Sequence, residues 1–364
     1  MTVAEQIADI LSDAGVRFVF GIPGGPSIPY MEAFRKSGIK FILTSHESSA
    51  GVMASVTGRL TGIPGVCHAT FGPGAVNLAS GAGGALLDRS PVIILTSEMD
   101  DTMLGRTTQM NIDHQKLFLP LTKATFRVNH LNASEVLRKA LSMCTDELPG
   151  PIHLGLPSDI ATMEASDSSR FIPESPAVSR PSDIQKVRDL LEKCVNPVIA
   201  VGLNAARYSV GSRLSGFLSQ TKIPVVLTPM AKGILPEDHP CYAGVLFHAL
   251  SSCLDDILND IDLVIGLGYD PVEYNYESWM PDVPLLEFTT KETDLPTVNR
   301  FARYTGRPGE WFEILECLHE RKLEFNQLKI ESVRNKMDSV FRGLRGHFGP
   351  VAAFSILREE IPAD

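Results

Sequence analysis

The stretch Lys40–Asn77 reads KFILTSHESSAGVMASVTGRLTGIPGVCHATFGPGAVN, and its reading decides the fold. A short apolar strand ends in a turn, and Glu47 opens a helix. A second apolar strand, Val66–Thr70, runs into Phe71-Gly72-Pro73-Gly74, where another helix begins. One carboxylate and one glycine-rich loop therefore stand at the carboxyl ends of two strands. In open α/β sheets that edge is where ligands bind.

The same grammar extends in both directions. Upstream, Thr2-x-x-Glu5 is a capping box for a helix faced by Ile7, Ile10, Leu11 and Ala14. Val16–Phe20 is strand-like, the loop Gly21-Ile22-Pro23-Gly24-Gly25-Pro26 follows, and a helix ends at Gly38. Downstream come a buried strand at Pro91–Thr96, a helix at Ala133–Glu147 and a last strand at Pro151–Leu156. The continuous apolar runs suit a parallel sheet covered on both faces. The irregular segment Glu98–His114 is long for a compact domain, which marks it as functional or mobile. Glu164–Pro181 is rich in Ser and Pro and reads as a linker. A second alternating unit then has strands at Pro197–Val201, Val225–Thr228, Leu263–Gly266 and Leu285–Phe288, with a largely helical Glu310–Lys336. The expected organisation is α/β, two doubly wound parallel-sheet domains, at 1–163 and 183–320 with a linker at 164–182. Residues 321–364 form a helical tail.

Composition fits a globular protein: 44% of residues are apolar and 21% charged. A net charge of −10 without any basic run speaks against a nucleic-acid partner. No apolar run approaches the ~20 residues of a membrane helix, so no membrane partner is expected. The amino terminus lacks the basic region of a signal peptide. The six cysteines show no C-x-x-C pair and read as buried free thiols of a cytoplasmic protein.

Glu47 by itself reads as a first-turn acid that favours the helix dipole, or as a carboxylate at the base of a cleft walled by Ile42, Val52 and Met53 and poised for proton transfer. The loop Thr70-Phe71-Gly72-Pro73-Gly74-x-x-Asn77 lets a ligand approach the backbone, and free N–H groups at a helix start favour an anion. No P-loop lysine follows, and no G-x-G-x-x-G is present.

Taken together, Gly21-Ile22-Pro23-Gly24, His46-Glu47 and Ala69–Asn77 resemble thiamine diphosphate-dependent enzymes of the acetolactate synthase type. Ala85–Pro91 resembles the family's A-x-x-D-x-x-P, and Leu117-Phe118 through Thr122-Lys123 its L-F-x-x-x-T-K. Ala231–Pro240 and Gly268–Glu273 resemble its central domain. The resemblance implies a thiamine diphosphate-binding fold followed by a Rossmann-like central domain. It also implies a carboligase or decarboxylase, thus a transferase or lyase, acting on 2-oxo acids such as pyruvate. In such enzymes a glutamate protonates the pyrimidine N1′, and the cofactor's own imino group then takes the thiazolium C2 proton. That glutamate matches Glu47. Pro23, Gly24, Thr70, Gly72, Pro73 and Asn77 match positions around the pyrimidine ring, so the glycine loop would hold a ring rather than a phosphate.

Three departures set further expectations. The family's active-site Gln falls in register with Met110, while Gln109 sits one residue further from Leu117-Phe118; Gln109 and Lys123 are the candidates for the substrate region. Flavin-containing members carry an Arg where this chain has Leu119, so little FAD is expected; the central domain is left open between FAD, another adenine nucleotide and no ligand. The family's Mg²⁺- and diphosphate-binding motif, Gly-Asp-Gly with a later Asn, has no counterpart here. No metal-ligating residue is therefore assigned, and Mg²⁺ is expected only with a further domain. The chain reads as a fragment or split subunit, inactive by itself, in a homodimer or tetramer or with a separate subunit carrying that domain. The edge around Glu47 is then expected to lie partly open to water. The rival reading is a non-catalytic assembly or regulatory protein with a nucleotide-sensing central domain.

Overall fold

The computed structural model describes residues 1–166, 184–246, 251–273, 279–290, 300–321, 323, 327–342 and 349–361. The chain divides into two compact units, Met1–Pro176 and Ala177–Asp364. Most of the expected linker lies outside the described residues.

The first unit is built on six strands: β1 Phe18–Ile22, β2 Lys40–Leu43, β3 Gly65–Ala69, β4 Val92–Glu98, β5 Ala124–Arg127 and β6 Pro151–Pro157. They run in the order β2-β1-β3-β4-β6-β5, and every pairing is parallel. β3, β4 and β6 are buried along their whole length, which is why they read as unbroken apolar runs. One face carries Val3–Asp13, whose capping box forms as expected: Glu5 N–H donates to Thr2 Oγ1 and Thr2 N–H to the Glu5 carboxylate. That face holds large side chains, among them Ile7, Leu11, Tyr30, Phe34 and Leu137. The opposite face is packed with small residues, including Ala50, Ala54, Ala75, Ala82 and Ala85. It carries the helices Glu47–Thr61 and Pro73–Leu87.

The second unit has β7 Pro197–Val201, β8 Val225–Leu227, β9 Tyr242–Val245, β10 Leu263–Leu267, β11 Leu285–Thr289 and β12 Arg300–Thr305. Their order is β12-β11-β10-β7-β8-β9, again all parallel. This is the doubly wound arrangement, with its switch point between β7 and β10. The fold class is therefore the expected one.

Details differ from the sequence reading. β5, β9 and β12 are strands that the sequence does not announce. β12 carries Arg303, which forms a partly buried ion pair with Glu287 on β11 (2.8 Å), so its charge is answered by a partner on another strand. The helical stretch expected over Glu310–Lys336 is broken into Pro308–Leu315, a short turn Glu316–Leu318 and Gln327–Arg342. All six cysteines are free, but Cys317 is exposed. Among the described residues no helix is long and apolar enough to cross a membrane.

Candidate functional site

The carboxyl edge of the first sheet gathers most of the residues singled out from sequence. β2 ends at Leu43, and His46 caps the following helix: its Nδ1 accepts the Ser48 N–H (3.2 Å). Glu47 thus sits in the first turn, only 7% exposed. Asn77 Nδ2 donates to Glu47 Oε2 (3.0 Å), and Ser48 Oγ donates to the Asn77 carbonyl (2.7 Å). These two bonds join the first turn of Glu47–Thr61 to Asn77, the fifth residue of Pro73–Leu87.

Glycines let the loops close around the carboxylate. Gly72 adopts φ +69°, and Pro73 takes the first helical position after it. A Cβ on Gly74 would lie 3.2 Å from both Glu47 Oε1 and Thr70 Cγ2. A Cβ on Gly24, which follows Pro23 beyond β1, would strike the Thr70 side chain. Gly24, Glu47, Thr70, Gly72, Gly74 and Asn77 are therefore brought together, with Pro23 and Pro73 beside them in the chain.

Other expectations are corrected by the geometry. The helix turn that buries Glu47, Ala50, Gly51 and Ala54 points Val52 and Met53 outward, at 56% and 44% exposure, so neither walls the site. Glu47 is not left open to water, because Asn77 and the Gly74 turn cover it. Gln109 is exposed; its neighbour Met110, at φ +67°, is the residue that meets Gly72, with its Cβ and carbonyl 2.8 Å from where a Gly72 Cβ would stand. Lys123 is not brought to this edge. It precedes β5 at the amino end of the sheet, where Nζ donates to the carbonyls of Met143 (2.5 Å) and Leu148 (2.6 Å).

Sequence reasoning missed a cluster of buried polar groups beneath the glycine loop. Glu98, His114 and His153 have ligand atoms within 4.8 Å of one another, close enough for a metal ion. Hydrogen bonds within the protein already engage these side chains. The sequence signal was faint: Glu98 and His153 are polar residues on otherwise apolar strands, and His114 stands in a polar stretch that opens a short helix.

Burial lowers the pKa of His114 and of His68 to about 4 and that of His153 well below the ordinary imidazole value; the Asp113 charge partly opposes the shift at His114, and His114 adds to it at His153. Between about pH 4 and 6.5 the unfolded chain binds more protons than the folded one, so stability present at neutral pH is lost on acidification. Burial raises Glu98 instead, and its effect runs the other way. Amide hydrogen exchange of the first unit is expected to show a loss of stability on the order of several kcal/mol from pH 7 to pH 4.5. Unchanged protection would mean that these imidazoles are not held neutral.

Residues 1–117 match the family described as "Thiamine pyrophosphate enzyme, N-terminal TPP binding domain", and residues 184–301 match "Thiamine pyrophosphate enzyme, central domain". A probable acetolactate synthase large subunit of Methanocaldococcus jannaschii is 34% identical over 277 residues, covering 74% of this chain and 47% of that protein. The acetolactate synthase isozyme 2 large subunit of Escherichia coli is 31% identical over 270 residues, 74% of this chain and 49% of its own length. Acetolactate synthase of Bacillus subtilis is 30% identical over 280 residues, 76% and 49% respectively. The chain spans about half the length of the curated relatives it matches.

Proposed function

The chain belongs to the thiamine pyrophosphate enzyme family, with its N-terminal and central domains, and from that premise we propose that it serves an acetolactate synthase-like carboligase or decarboxylase acting on 2-oxo acids. The observation that carries this reading is the state of Glu47. Asn77 occupies Oε2, and among the described residues no hydrogen bond reaches Oε1, which faces the turn at Gly74. A carboxylate held by one oxygen, with no hydrogen bond from the described residues on the other, at a strand-end edge, fits the ring nitrogen of an aminopyrimidine. Bound thiamine diphosphate supplies the carbon that carries the substrate's acyl group. Glu47 would hold and deliver a proton at the ring nitrogen, and Asn77 would fix the carboxylate's orientation. Thr70, Pro23 and the Gly72–Gly74 turn would wall the ring. Mg²⁺ and the diphosphate would be bound by a part of the assembly that these two domains do not provide, in a homodimer, a tetramer or with a separate subunit. The test is titration with thiamine diphosphate and Mg²⁺ of this chain assembled with the diphosphate-binding part of the family, with Glu47→Gln and Asn77→Ala as comparisons; equal affinity and equal activation in an active wild-type assembly and both variants would defeat the proposal.

For the central domain we propose little or no flavin. At the switch point, a Cβ on Gly202 would lie 2.5 Å from the Gly268 carbonyl, so the loops after β7 and β10 touch. The Glu273 carboxylate accepts N–H bonds from Leu203 (2.9 Å) and Met230 (3.3 Å), where a nucleotide's phosphates would need free donors. Protein purified by gel filtration is expected to lack stoichiometric flavin absorbance, and a full flavin spectrum would overturn this.

Burial pushes the Glu273 carboxyl up to about 7, against those N–H donors. A folded-state pKa above the unfolded one gives stability present below about pH 4.5 and lost as pH rises through 7. Both tryptophans, Trp279 and Trp311, lie in the second unit, so their fluorescence follows its unfolding. Stability is expected to fall by about 1–3 kcal/mol from pH 5 to pH 8, and Glu273→Gln should flatten that slope. An identical slope in the variant would assign it to other groups.

A further inference from the structure

The polar cluster beneath the glycine loop has a definite direction, which follows from what each group can donate. Gly72 N–H can only donate, so His114 Nε2, 3.2 Å away, is an unprotonated acceptor. A neutral His114 then carries its proton on Nδ1 and donates to Thr96 Oγ1 (3.0 Å). Thr96 has one hydroxyl proton, and its remaining partner is His153 Nε2 (2.8 Å). His153 is thereby also the Nδ1–H form, donating to Thr125 Oγ1 (2.6 Å). Thr125 donates to Gln115 Oε1 (2.7 Å), and Gln115 Nε2 donates to Glu98 Oε1 (2.6 Å). Reversing the Gln115 amide would set its oxygen against the Glu98 carboxylate. Arg127 closes the series, donating to Glu98 Oε2 (3.1 Å), to the Met99 carbonyl and to Asp101.

From the Gly72 turn across β4, β6 and β5 every bond points the same way and ends on the Glu98 carboxylate, which Arg127 meets from the other side. A proton added to His114 would set its Nε2–H against the Gly72 N–H, and one added to His153 would leave the Thr96 hydroxyl proton without an acceptor among the described residues. Phe118 stacks on His153 with ring centroids 4.3 Å apart, fixing that ring, and Asp113 caps the short helix that starts at His114. Thr96 and His153 are wholly buried, and His114 is 2% exposed. The Gly72 N–H is consumed inside the protein, which removes it from any anion. The turn that it anchors carries Pro73 and Gly74, the latter against Glu47.

We propose that His114 is a positioning residue: through the chain Thr96–His153–Thr125–Gln115–Glu98 it holds the Gly72 turn in the shape that receives the cofactor's ring. This rests on the reading of the edge as a pyrimidine site. The experiment uses the full chain with ¹⁵N-labelled histidine at pH 7. Both His114 and His153 are expected as the Nδ1–H tautomer; His114 as Nε2–H, as imidazolium or bound to a metal through Nε2 would overturn the proposal. In His114→Phe the Gly72 amide is expected to exchange about fivefold to tenfold faster, whereas His114→Gln, which offers an acceptor and a donor in the same places, should retain most of the protection. Thr96→Val keeps the shape but breaks the second bond, and should mix the His114 tautomers even if His114→Phe fails to fold. Unchanged Gly72 exchange in a folded His114→Phe protein would overturn the inference, as would a loosened turn that binds thiamine diphosphate as tightly as the wild type. If the wild type itself shows no thiamine diphosphate binding, the cofactor reading is the part that fails; Nδ1–H tautomers with a loosened turn in His114→Phe would still support His114 as the residue that holds Gly72.

Discussion

Glu47→Gln is expected to slow exchange of the cofactor's C2 proton by at least about a hundredfold, in an assembly of this chain with the diphosphate-binding part of the family. The amide keeps an oxygen that can accept from Asn77, so the bond measured at 3.0 Å can survive. It cannot hold and return a proton at the ring nitrogen. The substitution therefore separates the two readings of Glu47 given by the sequence. A residue that only favours the helix dipole contributes about 0.3–1 kcal/mol, and its loss would leave exchange untouched. Stability is expected to change by less than about 1 kcal/mol, because the bonding partner is kept. A large loss of stability with normal exchange would assign Glu47 to structure alone.

Among single substitutions, the largest expected effect on stability comes from Gly51 and Gly81. A Cβ on either would lie 2.8 Å from the other's Cα. The helices Glu47–Thr61 and Pro73–Leu87 therefore meet backbone to backbone, and no side-chain rotation can relieve an added methyl. Gly81→Val is expected to destabilise the first unit by about 3 kcal/mol, the upper end of ordinary overpacking. It should also weaken thiamine diphosphate binding, since Glu47 and Asn77 lie near the amino ends of these same helices. Gly84→Ala is the control: it is exposed, a Cβ there meets nothing within 4 Å, and a gain of about 0.5–1 kcal/mol is expected. Hydrogen exchange of the first unit measures both. Equal stability of Gly81→Val and the wild type would show that the helices can separate without loss.

How much of this was legible in the sequence depended on whether each signal is local. The parallel sheets were readable because β3, β4 and β6 are buried on both faces and so are continuously apolar. The capping box of Thr2 and Glu5, the helix start at Glu47 and the glycine turn were readable because each is set within a few residues. β5 and β12 were missed because they are edge strands, and the charge of Arg303 is answered by Glu287 in a different segment. The outward turn of Val52 and Met53 follows from helical phase, which the apolar character of those residues concealed. Lys123 matched a family pattern in sequence, yet the start of β5 carries it to the opposite edge. The polar chain from Gly72 to Glu98 was out of reach for another reason. Its members come from four elements, Thr96, Thr125 and His153 standing on strands and His114 and Gln115 on a short polar helix, and nothing local relates them until the strands are paired.

The central claim is that the strand-end edge of the first unit receives an aminopyrimidine ring against Glu47. The most direct measurement is a titration of the uniformly ¹⁵N-labelled full chain with thiamine diphosphate and Mg²⁺, carried to millimolar concentration so that weak binding is seen, and followed by amide chemical shifts. The account predicts that the amides of Glu47, Thr70, Gly72, Gly74 and Asn77 shift together along one binding curve. Shifts confined to the second unit around Leu203 and Met230, or none at these five positions, would contradict it.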